Sequence, residues 1–143
     1  MFIDVLKAIS AAISAVAAAT EIEKVIVAIA IVDAAGPMVV GVNMGADTGT
    51  LVLAEQVARM ALVTGVDTPE LRRRLKDGEV VAGYDPKNDP VYGTALLAYS
   101  QGGRNVGAVG VAGCGRNVGA ARGIAHATIC AAGFSEECPA SGG

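Results

Sequence analysis

Aromatic side chains are nearly missing from this chain: three tyrosines, two phenylalanines and no tryptophan among 143 residues. Its core must therefore be built from Ala, Val, Ile and Leu, with 19 glycines permitting close backbone approach. Charge is also scarce, at 17%, against 52% apolar residues. A domain this apolar is expected to cover part of its surface in a homo-oligomer, because monomers seldom leave large apolar patches bare.

Positive charge is too thin for nucleic acid. The formal net charge is −3. The one basic cluster, Arg72-Arg73-Arg74 with Lys76, is flanked by Glu70, Asp77 and Glu79 and has no interleaved aromatics. It reads as a solvated helix face.

Metal-ligand spacing is absent as well. Cys114, Cys130 and Cys138 cannot all pair within one chain and match no zinc pattern, so no metal is expected. Reduced thiols point to a cytoplasmic setting. No run is long and continuous enough for a bilayer span, so no membrane partner is expected. Residues 8–19 (AISAAISAVAAA) have the look of a signal-peptide core. Leu6, Ile9, Ile13 and Val16 nevertheless recur at helical spacing behind Asp4, with only Lys7 basic, which reads as a retained surface helix.

The length suits one domain, drawn as residues 1–134 with a polar, frayed tail over 135–143. After a first helix from Asp4 to about Ala19, Lys24–Val32 (KVIVAIAIV) reads as a buried strand. The turn Asp33-Ala34-Ala35-Gly36-Pro37 returns it as Met38–Met44, forming a hairpin. Asp33 there is expected to bond nearby backbone N–H groups.

Asp47-Thr48-Gly49-Thr50 offers N-caps for a helix over Leu51–Val63, with Leu53, Val57, Met60 and Ala61 on one face. Glu55 and Arg59 form an i,i+4 pair on another. Thr68-Pro69-Glu70 starts a short helix that stops at Asp77-Gly78. A long loop over 79–93 carries Tyr84, Asp85 and Tyr92. Thr94–Tyr99 and Val106–Ala112 make a second hairpin, and a last helix runs from about Arg116 to Ala132. RNVGA occurs at Arg104–Ala108 and Arg116–Ala120, entering a strand and then a helix, so it is no structural repeat.

The most informative stretch is Val109–Ala121 (VGVAGCGRNVGAA). A strand that turns on Gly113, Cys114 and Gly115 into a helix leaves backbone N–H groups aimed outward. Arg116 and Asn117 follow in the first turn, which makes the bend an anion-site candidate. A dinucleotide reading of the same glycines fails for want of a following βαβ unit and a distal acidic residue.

Together these elements form an α+β domain with one antiparallel sheet. Val27–Gly36 (VAIAIVDAAG), Met44-Gly45-Ala46, the Ala54–Ala61 helix and Gly107–Gly113 (GAVGVAG) resemble the GlcG/HbpS family. That family comprises haem-binding or haem-degrading-type proteins and the C-terminal domain of some corrinoid adenosyltransferases. The resemblance spans roughly residues 4–133. It implies a profilin-like fold, a five-stranded antiparallel sheet with packed helices, oligomeric assembly, and haem as cofactor. Val57-Ala58 replaces the Lys-Ala usual in the family, and Arg116, Asn117 and Arg122 replace acidic residues, which points to a more anionic ligand.

Two functions follow. One is a module binding haem or a related small molecule. The other is a cofactor-independent lyase or isomerase acting on a small carboxylate or oxoacid. For the latter, Arg116 holds the anion while Tyr84, Glu55 or His126 moves a proton. His126, the one histidine, lies in an apolar stretch with Ile124, Ala125, Thr128 and Ile129, where it reads as a core or interface residue. Haem ligation or acid–base work is its functional reading. Haem ligands of hydroxyl or methionine type are the other possibility. Cys114 at a helix start is a candidate nucleophile. Gly113, Cys114, Gly115, Asn117 and Arg104 are the ligand-binding candidates, with Arg104, Arg116 and Arg122 expected to converge on a carboxylate.

Overall fold

The computed structural model describes residues 10, 14, 27–44, 48–87, 93–114 and 118–136, except the side chains of 44, 48 and 118. Its elements are β1 (Val27–Asp33), β2 (Met38–Met44), α1 (Thr48–Thr64), α2 (Thr68–Lys76), β3 (Thr94–Tyr99), β4 (Asn105–Ala112) and α3 (Val118–Ala131). Of the expected first helix only Ser10 and Ser14 are described, both helical and exposed.

The strands form one antiparallel sheet in the order β2-β1-β4-β3. β1 and β4 occupy its middle, and alternation within them explains the layers. Ile29, Ile31, Leu96, Val109 and Val111 turn their bulk to one face and pack with Ala121, Ile124, Ala125 and Ile129 of α3. Ala28, Ala30, Ala95, Ala108 and Ala112 present small side chains to the other face, against Ala54, Val57, Ala58 and Ala61 of α1. The small face lets α1 sit unusually close. A Cβ on Gly110 would overlap the Ala54 carbonyl oxygen and stand 3.1 Å from the Ala58 Cβ. The buried stripe of α1 is thus 54-57-58-61 rather than one centred on Leu53 and Met60, which are only half-buried.

Among the described residues the sheet has four strands, a correction to the five implied by the resemblance. The sequence holds four β-type runs, and the loop over 79–87 adds none. Gly83 adopts a φ of +88° there, and Asp85 turns the chain by accepting the Lys87 N–H at 2.9 Å.

The outer edge of β3 is sealed by side chains and a short bridge. Thr68 Oγ1 accepts from the Ala95 N–H at 2.8 Å, and Asp67 Oδ1 accepts from Leu97 at 2.7 Å. Ser135 bridges Tyr99 through both backbone groups, at 2.7 and 2.9 Å. Strand edges left bare invite other chains, and here the start of α2 and the end of the chain occupy the positions. Asp67, the N-cap residue of α2, makes no capping bond, its carboxylate serving β3 instead. Ser135 and Glu136 are therefore tied to the rest of the domain. Residues 137–143, Cys138 included, lie outside the described residues.

Candidate functional site

The β3–β4 hairpin turns tightly: the Ser100 N–H donates to Arg104 and the Gly103 N–H to Ser100, at 2.9 and 3.0 Å. Asn105 Nδ2 donates to the Ala98 and Gly107 carbonyls, pinning the irregular register beside Tyr99. α3 returns to this turn and stops on Gly133, whose φ is +91°. There the Phe134 N–H reaches Ile129 and the Gly133 N–H reaches Cys130, each at 3.0 Å. This Schellman closure satisfies late carbonyls and seats an apolar residue just beyond the helix. Phe134 is that residue, packed against the larger core cluster.

Between hairpin turn and helix end lies an open concavity of about 450 Å³, lined by Ser100, Gln101, Gly102, Arg104, Gly133 and Phe134. It offers a guanidinium, a ring, a hydroxyl and an amide. Chemically, a ring can pack on an apolar face and a guanidinium fork can pair with a carboxylate.

The remaining candidates lie elsewhere. Gly113, exposed with φ +101°, and half-buried Cys114 stand at the far end of β4 from Arg104. At about 3.3 Å per residue that separation is roughly 25–30 Å. Arg104 and Gly113 thus stand at opposite ends of β4. Gly115, Arg116 and Asn117 lie outside the described residues, as does Tyr92. Arg122 is exposed and paired to Glu136 at 2.8 Å.

Glu55 is paired with Arg59 at 2.7 Å, as the i,i+4 spacing anticipates. Arg59 also donates to the Gly36 carbonyl, tying α1 to the β1–β2 turn. Asp33 in that turn accepts from the Ala35 N–H at 2.8 Å, the local role read for it. Tyr84 sits on the loop whose Gly83 presses on Val63 at the end of α1. His126 is exposed, a correction to the core half of its reading: the inward stripe of α3 is Ala121, Ile124, Ala125, Thr128 and Ile129, which turns His126 out. Val57, where the family resemblance places a lysine, is fully buried beneath the sheet.

The basic cluster divides by burial. Arg73 pairs with Glu70 and Asp77, at 2.6 and 3.1 Å, and Arg74 pairs with Glu70 at 2.9 Å, on a solvated face as expected. Hydrogen bonds from Arg73, and next from Arg74, hold the Glu70 carboxyl down to about 2. Arg72 instead turns inward and donates to the Gly93 carbonyl. Burial lowers its pKa. Among the described residues no group of three or more His, Cys, Asp or Glu side chains is placed to hold a metal ion. No single described helix is long and apolar enough to cross a membrane.

Sequence reading missed Phe134, Ser100 and Gln101. The signal for Phe134 was present, because a glycine closing a helix followed by an apolar residue is the Schellman signature.

The class that this architecture defines is a small α+β domain, an antiparallel sheet between helices with a concavity at one end. Residues 3–128 match the family described as haem-degrading protein HbpS-like, and the chain belongs to that family. The fold is shared with a PduOC–haem complex, at 22% identity and a TM-score of 0.75, covering 91% of this chain and 95% of that one. A double mutant of HbpS from Streptomyces reticuli is 25% identical, with a TM-score of 0.68 and coverage of 87% and 86%. The ORFY protein of Klebsiella pneumoniae is 20% identical, with a TM-score of 0.71 and 87% of each chain covered. A search of the curated proteins returns no match.

Proposed function

We propose that this protein binds a haem-type planar tetrapyrrole, using the concavity between the β3–β4 turn and the end of α3. The observation that carries the reading is the shared fold with a relative crystallised with haem, in a chain that belongs to the HbpS-like family. The concavity supports it. Its volume of about 450 Å³ lies within the range of cofactor pockets. Phe134 supplies an apolar ring, Arg104 a carboxylate clamp, Ser100 a hydroxyl and Gln101 an amide. Bound haem would supply a redox-active iron, while these side chains bind and orient the ring.

Titration with haem at micromolar concentration should give a saturable Soret band. Arg104→Ala should weaken binding about tenfold, the scale of one charge-assisted pair. His126→Ala should leave the titration in place, because that imidazole is engaged elsewhere. A protein that develops no saturable band overturns the reading. The lyase or isomerase alternative is not favoured: Tyr84, Glu55 and His126 occupy three separate places, and nothing described joins them to the Gly113 bend. A second part of the proposal is self-association of the chain, which its apolar composition supports.

A further inference from the structure

Three ionisable side chains stand in line on the solvent face of α3, away from the concavity's lining. Helical spacing stacks His126 and Cys130 one turn apart, with Cys130 Sγ over the imidazole, 3.5 Å from Nε2 and 4.0 Å from Nδ1. Nδ1 stands 2.9 Å from Glu136 Oε2. The second oxygen of Glu136 accepts from Arg122 at 2.8 Å.

The carboxylate is held in place from behind. The Schellman closure at Gly133 turns the chain back over the helix, and the two-bond bridge from Ser135 to Tyr99 anchors the residue just before it. Glu136 is accordingly only 14% exposed, although its partners His126 and Arg122 are each 49% exposed. A carboxylate accepts and cannot donate when ionised, so the Nδ1 position carries the ring proton. Nε2 is then the acceptor, and it is the ring nitrogen nearer the thiol.

We propose that Cys130 is a nucleophilic thiol, with His126 as its proton acceptor and Glu136 as the residue that positions the ring, and that it reacts with small disulfides. A nucleophile beside a base that a third group orients is the general arrangement of an activated nucleophile. Exposure of Cys130 gives the access that thiol exchange requires. The step balances within the named groups. The Sγ proton passes to His126 Nε2 as the thiolate attacks one sulfur of the disulfide. The old S–S bond breaks as the new one to Cys130 forms, and the departing thiolate takes the proton from the imidazolium. No other oxidant is needed.

The test is competitive labelling of the full chain with a limiting amount of a neutral dipyridyl disulfide near neutral pH. Peptide mass spectrometry then reads occupancy at Cys130, Cys114 and Cys138. Cys130 should be modified first. His126→Gln should slow its modification at least about tenfold, and Glu136→Gln about threefold, with circular dichroism unchanged. Cys130 reacting no faster than Cys138, or at the same rate in both variants as in the parent, overturns the proposal. Should His126→Gln lose its fold, Glu136→Gln decides alone. Haem titration of the same variants separates this inference from the proposed function, since neither substitution touches the concavity.

Discussion

Gly110 determines how closely α1 lies on the sheet. It stands mid-strand in β4, where glycine has no conformational advantage, and the space for its missing side chain is filled by the backbone of α1 at Ala54. A main-chain carbonyl in a packed helix cannot rotate aside as a side chain can. Gly110→Ala should therefore destabilise the fold by roughly 2–3 kcal/mol in chemical denaturation, the scale of overpacking. Gly41→Ala is the matched control: its neighbours are the ends of Met38 and Leu51, at 3.3 and 3.4 Å, which can yield. An equal loss from both would refute the argument. At this scale the sequence was readable in part. The Asx turn at Asp33 and the Glu55–Arg59 pair follow from local spacing alone. The stripe 121-124-125-128-129 turns His126 outward and rules out its core reading, which alanines on the solvent side of α3 had made plausible by blurring the contrast between faces.

Elements built from dense β-branched runs were the most legible. β2 and β3 have the bounds that their composition indicates, and β4 begins one residue earlier, at Asn105. The alternation of Ile with Ala in β1 encodes both the burial of each face and the unequal thickness of the two layers. The start of α2 was harder to read, since Asp67 and Thr68 look like ordinary caps yet reach across to β3. Capping chemistry and edge chemistry use the same residue types, and only tertiary placement separates them. α2 also carries a pH dependence. Glu70 has its carboxyl held down to about 2 from an ordinary 4.5 by Arg73 and Arg74. A lowered folded-state value adds stability above the ordinary value, and that contribution is lost as pH falls from about 4.5 towards 2. Acid titration of stability should accordingly be shallower across that window for Glu70→Gln than for the parent. Parallel curves would show that the cluster contributes nothing.

The concavity belongs to the whole molecule, because Arg104 and Phe134 meet only after α3 has crossed the sheet and returned. Nothing local to either residue announces the other. The glycine bend after β4, by contrast, was the loudest local signal, yet it lies at the opposite end of the domain from the side chains that form a cleft. Surface apolarity is also a property of the whole. Val80 is 98% exposed, Val63 66% and Val52 48%, scattered over α1 and the loop after α2. With self-association as proposed, light scattering should return at least twice the 14.2 kDa mass of one chain. A monomer mass at every accessible concentration would refute it.

The flank of the sheet at β3 is occupied by its own chain. Asp67 and Thr68 take the N–H groups of Leu97 and Ala95, and Ser135 pairs with Tyr99. Another strand arriving there would first have to displace the start of α2 and the segment that follows α3.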